Sequence, residues 1–182
     1  MALRPRRVLE VGLGPGILAR LLTQAGIEVL TVDLDPSLRP HLVASVADLP
    51  LGDDACDLAA AFQVLEHLPY DLFPAALSQL RRVARRHVVI SLPDARRFLQ
   101  LTVHLPLLGD RSLLLNLPGL AWPAGRRNPM HQWEVNLPGF PLRRILSTLR
   151  QAGLEPALTY RLKPLPYQRL FVLHKAAPHP SR

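Results

Sequence analysis

The chain has 182 residues, a formal net charge of +8, an apolar share of 48% and one cysteine. That length suits one domain with a real core, and the apolar share excludes a disordered chain. A single cysteine, Cys56, excludes an intramolecular disulfide and gives no metal-ligand cluster, so no metal site is expected, and it predicts a reducing, cytoplasmic setting.

The start MALRPRR is basic, like the head of a signal peptide, but Glu10 and three glycines follow where an apolar stretch is needed. No apolar run reaches the ~18 residues of a membrane-spanning helix. Arginine pairs carry most of the charge. A basic field attracts nucleic acid, anionic lipid or acidic substrates. Without interleaved aromatics or an RNA-binding motif, solvated helix faces are the favoured reading and nucleic acid the lesser one.

Residues 8–11, VLEV, form an apolar run that predicts a buried parallel strand. Gly12, Gly14 and Gly16 follow at alternate positions, then Ile17, Leu18, Leu21 and Leu22 at helical spacing, with Gly26 placed to end the helix. Strand, glycine turn and helix make the first half of a βαβ unit, whose turn offers backbone N–H groups to a ligand. A dinucleotide fingerprint would need its third glycine at residue 17, which is Ile17, so pyrophosphate binding is disfavoured. Glu10, on a buried strand end, requires hydrogen bonds or a cation. It either accepts from loop N–H groups or sits near a positively charged ligand.

Glu10-Val11-Gly12-Leu13-Gly14-Pro15-Gly16 resembles the first motif, E/D-x-G-x-G-x-G, of class I S-adenosylmethionine-dependent methyltransferases. Residues 28–32 are β-rich and run into Asp33-Leu34-Asp35-Pro36, matching that family's V-D-x-S/D-P. A carboxylate about 20 residues after the glycine turn is placed to accept from a ribose diol, which selects Asp33, with Leu34 beside it. Asp35, before Pro36, is expected to cap the next turn. Residues 42–49 are predicted as a short third strand running into Ala47-Asp48-Leu49-Pro50. The resemblance implies that Asp48 accepts from the adenine amino group and that Leu49 offers its backbone N–H to the ring.

Residues 57–62, DLAAAF, are predicted as the fourth strand, followed by Gln63-Val64-Leu65-Glu66-His67-Leu68. This run resembles the family's fourth motif, and Gln63 is expected to flank the cofactor. Methyltransferases acting on exocyclic amino groups of bases carry N/D-P-P-Y/F here, so base N-methylation is disfavoured. The V-L-E-H-L form is commoner where the acceptor is a small molecule.

A helix is predicted over 73–86 and a fifth strand over 87–92. Residues 95–139 are leucine-rich, interrupted by five prolines between Pro106 and Pro138, and read as neither sheet nor regular helix. An apolar insertion at this point suggests a lid over a hydrophobic substrate, or an edge touching a membrane or second subunit. Arg126-Arg127 would suit a membrane surface or an anionic group. Within it, His131 is a candidate base or substrate ligand. The alternative, that His131 and Glu134 cap the following helix while Trp133 packs in the core, is preferred. A helix over 142–152 and two closing strands over 154–162 and 169–174 complete the pattern, and residues 176–182 form a frayed tail.

The fold expected is α/β: a Rossmann-like, seven-stranded, mostly parallel sheet between helices, with one antiparallel strand near the C-terminal end, in a single domain over residues 1–175. The resemblance implies S-adenosylmethionine as cofactor, held by Glu10, the glycine loop, Asp33 and Asp48. It implies in-line methyl transfer to a small acceptor, with His67 and His131 as candidate bases. A non-catalytic cofactor-binding module and an RNA-modifying enzyme are the competing classes. Only residues 1–7 precede the first strand, where the family has N-terminal helices. The lid, a homodimer partner or a longer chain is expected to cover the open site.

Overall fold

In the central strands, residues of alternate parity face opposite sides of the sheet. Leu9, Val11, Ala59, Ala61, Val88 and Ile90 join one core cluster, and Val8, Leu58, Ala60 and Val89 join another. Period-two alternation of apolar residues on both faces is what a strand buried on both sides requires. The structure, a computed structural model, describes residues 3–106, 109–121 and 128–176.

The chain runs β1 (Arg7–Val11), α1 (Ile17–Gln24), β2 (Glu28–Asp33), β3 (Leu42–Val43), β4 (Cys56–Phe62), α2 (Phe73–Val83) and β5 (Ala84–Pro93). It continues through β6 (Arg96–Leu105), β7 (Gly109–Ala121), α3 (Leu142–Gln151), β8 (Leu154–Leu162) and β9 (Leu165–Lys175). Seven strands form the main sheet in the order β3-β2-β1-β4-β5-β9-β8. β1 to β5 pair in parallel, and β9 runs antiparallel to both of its neighbours. The expected fold is therefore the observed one. No helix among the described residues is long and apolar enough to cross a membrane.

The two faces are covered unequally. α2 buries Phe73, Ala76, Leu77, Leu80 and Val83 on one face, where Ile145 and Leu149 of α3 and Trp133 join the same cluster. Pro74 in its first turn suits the helix start, where the missing N–H costs no bond. On the other face α1 buries no residue fully, and its Ile17 and Leu21 are exposed.

Three elements differ from expectation. α2 stops at Val83, because Ala84 is already extended and pairs with Cys56 of β4. β3 has two residues, because its partner β2 ends at Asp33, and Ser45 and Asp48 then close a turn of their own. The start of the insertion is a separate antiparallel hairpin, β6 with β7, with Leu99 opposite Leu115 and Leu101 opposite Leu113. Its apolar row of Leu99, Leu101, Val103, Leu113 and Leu115 is exposed. Thr102 bonds Ser112 and His104 bonds Asp110 across it. Arg126 and Arg127 lie outside the described residues.

Both ends of the insertion are tied to the sheet through Asp94, which is wholly buried. Its Oδ2 accepts from Arg169 Nε at 2.8 Å, and its Oδ1 from Asn136 Nδ2 at 2.8 Å and the Arg96 backbone N–H at 3.1 Å. Arg161 Nε lies 4.0 Å from the same carboxylate. Removing one partner of such a group leaves buried charge uncompensated. Asp94→Ala is therefore expected to lower the unfolding free energy by about 3–5 kcal/mol in urea denaturation. A loss under about 1 kcal/mol, the size expected of an exposed pair, would show that water already screens the arginines.

Asp57, beside β1, accepts from the backbone N–H groups of Arg6 and Arg7 and from Arg85 Nη1. The two backbone bonds chiefly hold its carboxyl below the usual range. Folding therefore favours the charged form, and its contribution is present above pH about 4 and lost as pH falls through the folded-state value. Thermal melts of Asp57→Asn should lie below those of the parent at pH 7, with the gap closing by pH about 2–3. A gap independent of pH would assign the loss to neutral contacts instead.

Candidate functional site

The connections of β1 and β4 leave the sheet in opposite directions, which opens a crevice at their carboxyl ends. The turn 12–16 forms one lip. Gly12, Gly14 and Gly16 all have positive φ, of 82°, 49° and 69°. At Gly12 an added Cβ would lie 2.2 Å from Val64 Cγ2, whereas nothing stands within 4 Å of Gly14. Gly12 is thus required by a close approach of the two lips, and Gly14 leaves the turn open to the crevice. Gly16 is the N-cap residue of α1 in the left-handed conformation and does not line the cleft.

The cleft encloses about 560 Å³. Glu10, Gly12, Gly14, Asp33, Leu34, Gln63 and His67, seven of the residues singled out from sequence, line it together. Asp33 accepts from the Leu13 N–H at 2.7 Å and the Asp35 N–H at 2.9 Å, so its carboxylate is locked to the glycine turn with lone pairs to spare. Asp35 caps the following turn by accepting from the Ser37 N–H, as expected.

Glu10 is buried, and its Oε2 has no hydrogen-bond partner among the described residues. Burial pushes its carboxyl above the usual range, opposed by a bond from the Ala19 backbone. Gln63 sits at the end of β4 with φ +56°, a conformation side chains rarely adopt. Its backbone N–H and Nε2 both donate to Ser91 Oγ, and its Oε1 accepts from Gln168 Nε2.

Asp48 and Leu49 do not reach the cleft. The Ser45–Asp48 turn leaves Asp48 exposed, while Leu49 is buried with its N–H directed to Gln79 Oε1. Ala44 and Val46 line that side instead.

His67 and His131 meet beside the cleft with ring centroids 5.1 Å apart. The returning end of the insertion brings them together: Gln132 donates its backbone N–H to Glu66 O, and Trp133 Nε1 donates to Leu68 O. His131 is buried. Its Nδ1 bonds Glu134 Oε1 at 2.9 Å, and Glu134 also accepts from the Tyr167 hydroxyl. Trp133 is in the core as expected. His131 and Glu134, however, pair with each other rather than capping α3, which starts after Pro141.

Glu66 lies in the turn that follows β4, between Leu65 and His67. It is wholly buried, and among the described residues neither carboxylate oxygen has a partner from another residue; burial, opposed by its own backbone N–H and reinforced by Glu134, pushes its carboxyl up to about 7. The signal available in sequence was an acid in the apolar run just after a buried strand.

A family model for a methyltransferase domain matches residues 2–157. The chain belongs to this family. A probable S-adenosylmethionine-dependent methyltransferase of Mycobacterium tuberculosis is 37% identical over 73 residues, covering 35% of this chain and 27% of that protein. A probable ribosomal RNA small subunit methyltransferase A of Methanopyrus kandleri is 30% identical over 139 residues, covering 63% of this chain and 48% of its own length. The methyltransferase domain thus spans half or less of the curated relatives it matches. Among solved structures, the 1,6-didemethyltoxoflavin-N1-methyltransferase of Burkholderia thailandensis, with 1,6-didemethyltoxoflavin and S-adenosylhomocysteine bound, superposes with TM-score 0.61 at 18% identity. The match covers 96% of this chain and 72% of that one, and shows the shared fold.

In this methyltransferase domain Gly12→Ala is expected to destabilise by more than about 1 kcal/mol, from the positive φ and the Val64 collision together. Adding Val64→Ala should recover the collision part in thermal melts. Additive losses in the double variant would mean that Val64 is not what confines Gly12.

Proposed function

We propose that this chain is an S-adenosylmethionine-dependent methyltransferase that acts on a small acceptor by in-line displacement. The observation that carries this reading is the glycine-turned cleft, with the buried Glu10 carboxylate, whose Oε2 has no partner among the described residues, and the locked Asp33 carboxylate on its wall. When bound, S-adenosylmethionine supplies a methyl group already activated on a sulfonium, so the protein's task is orientation. Glu10 would take the ammonium of the methionine part. The open backbone at Gly14 would admit its carboxylate, and Asp33 would accept from the ribose hydroxyls. Ala44 and Val46 would pack along the adenine, a role the resemblance had given to Asp48 and Leu49.

His67 stands on the cleft wall nearest the 128–136 segment and is the group we assign to the acceptor side. The exposed apolar row of the β6–β7 hairpin supports a hydrophobic acceptor beneath a lid. The hairpin contributes no residue to the cleft lining, so it would have to close. A second subunit or a membrane surface meeting that row is the other use we assign to it. An RNA acceptor is the competing reading, supported by the +8 charge and by the ribosomal RNA methyltransferase relative.

Calorimetric titration with S-adenosylmethionine and S-adenosylhomocysteine, with NAD as control, tests the reading. We expect micromolar binding of both, lost in Asp33→Ala and weakened at least tenfold for the methionine-bearing ligands in Glu10→Gln, with NAD silent. Absence of binding by protein shown free of carried-over ligand would refute it. Binding of RNA with a steep salt dependence would move the acceptor to the competing reading.

A further inference from the structure

We propose that Glu66, His67 and His131 form a binding site for one divalent transition-metal ion at the acceptor side of the cleft. One ligand atom from each residue lies within 4.8 Å of the other two. Two imidazoles and one carboxylate make a donor set suited to ions such as Mn²⁺, Co²⁺ or Zn²⁺, whereas Mg²⁺ and Ca²⁺ favour oxygen shells.

Two independent features support a ligand set over a buried structural cluster. Glu66 is wholly buried, and among the described residues no other residue bonds either oxygen, although two histidines and Glu134 stand beside it. A buried carboxylate in an apolar protein interior is ordinarily paired. The rings, moreover, are oriented from outside. His67 Nδ1 donates to the Met130 carbonyl, which leaves Nε2 as a lone-pair donor. His131 is held at Nδ1 by Glu134, and Glu134 in turn by Tyr167. A carboxylate or carbonyl behind each imidazole is the outer-shell arrangement that fixes metal-ligating histidines. Asn128 Nδ2 stands against His131 Nε2, and ion binding would exchange that contact if Nε2 is the ligating atom.

The position gives the ion a use, and this use alone rests on the methyl-transfer reading. His67 also lines the cleft, so an ion held there can bind a hydroxyl oxygen of the acceptor and lower its pKa. The hydroxyl proton leaves to solvent. The oxygen–carbon bond then forms as the sulfonium–carbon bond breaks, and sulfur keeps the electron pair. The acceptor class is thereby narrowed to oxygen nucleophiles.

Direct metal binding is the test. Chelator-stripped full-length protein is titrated with Co²⁺, followed by visible absorption, and with Zn²⁺ and Mg²⁺ by calorimetry. The expected result is one Co²⁺ or Zn²⁺ per chain at micromolar Kd or tighter and at least tenfold weaker Mg²⁺. Tenfold or greater losses are expected in His67→Ala and Glu66→Gln. His67 is exposed, so its variant should fold, which circular dichroism checks. His104→Ala, on the exposed hairpin, should bind as the parent does. Asp33→Ala should lose S-adenosylhomocysteine yet keep the ion, which separates failure of the cofactor reading from failure of this one. No saturable site, or affinity unchanged in both His67→Ala and Glu66→Gln, would overturn the proposal.

Discussion

The structure depends on how closely the chain after β1 approaches the chain after β4. Gly12 and Val64 meet so tightly that a single added methyl would fall 2.2 Å from Val64 Cγ2. That approach follows from parallel pairing of strands separated by half of the sheet's connections, with Val11 level with Ala61. One lip must then turn back with positive φ, which glycine allows at no steric cost. The other lip is Gln63, in a left-handed conformation held by Ser91 from the next strand. The cleft is what remains between two turns forced apart at one end and together at the other.

Four acids are buried among the described residues, and their surroundings divide them; Glu134 is held by His131 and Tyr167. Asp94 has a charged or polar partner on each oxygen and joins β5, the insertion, β8 and β9. Such a group specifies how segments meet, whatever its net contribution to stability. Among the described residues Glu10 and Glu66 leave one and both oxygens without a partner from another residue, and both stand at the cleft or beside it. A fold that has satisfied one buried acid so fully does not leave two others bare for want of donors. Perturbed, desolvated carboxyls gathered at a cleft are the usual mark of a site that receives charge from a ligand.

The insertion has two ends with different physics. Its first strands form a hairpin whose apolar row faces outward and whose polar row pairs across the strands. Its returning segment is sewn to the turn after β4 by Gln132 and Trp133, and to the end of β5 by the pairing of Asp94 with Val135. That stitching carries His131 to His67. A remote stretch of sequence is thus docked beside a cleft that residues 10–68 line.

The sequence by itself determined the mostly parallel sheet, the glycine turn and the grouping of Glu10, Gly12, Gly14, Asp33, Gln63 and His67 along one cleft, because these depend on local periodicity and on short motifs. The hairpin was legible in the alternation of Leu99, Leu101, Val103 and Leu105, but the prolines of that segment masked it. What only the tertiary structure decided concerns residues whose role is set by what lies across from them. Asp48 and Leu49 sit in a motif that points to the cofactor, yet the Ser45–Asp48 turn directs them away and offers Ala44 and Val46. Glu66 and His131 are 65 residues apart, and only the docking of the 128–136 segment on the 65–68 turn makes them neighbours. Sequence records the donors a chain carries, but long-range packing decides which of them share a site.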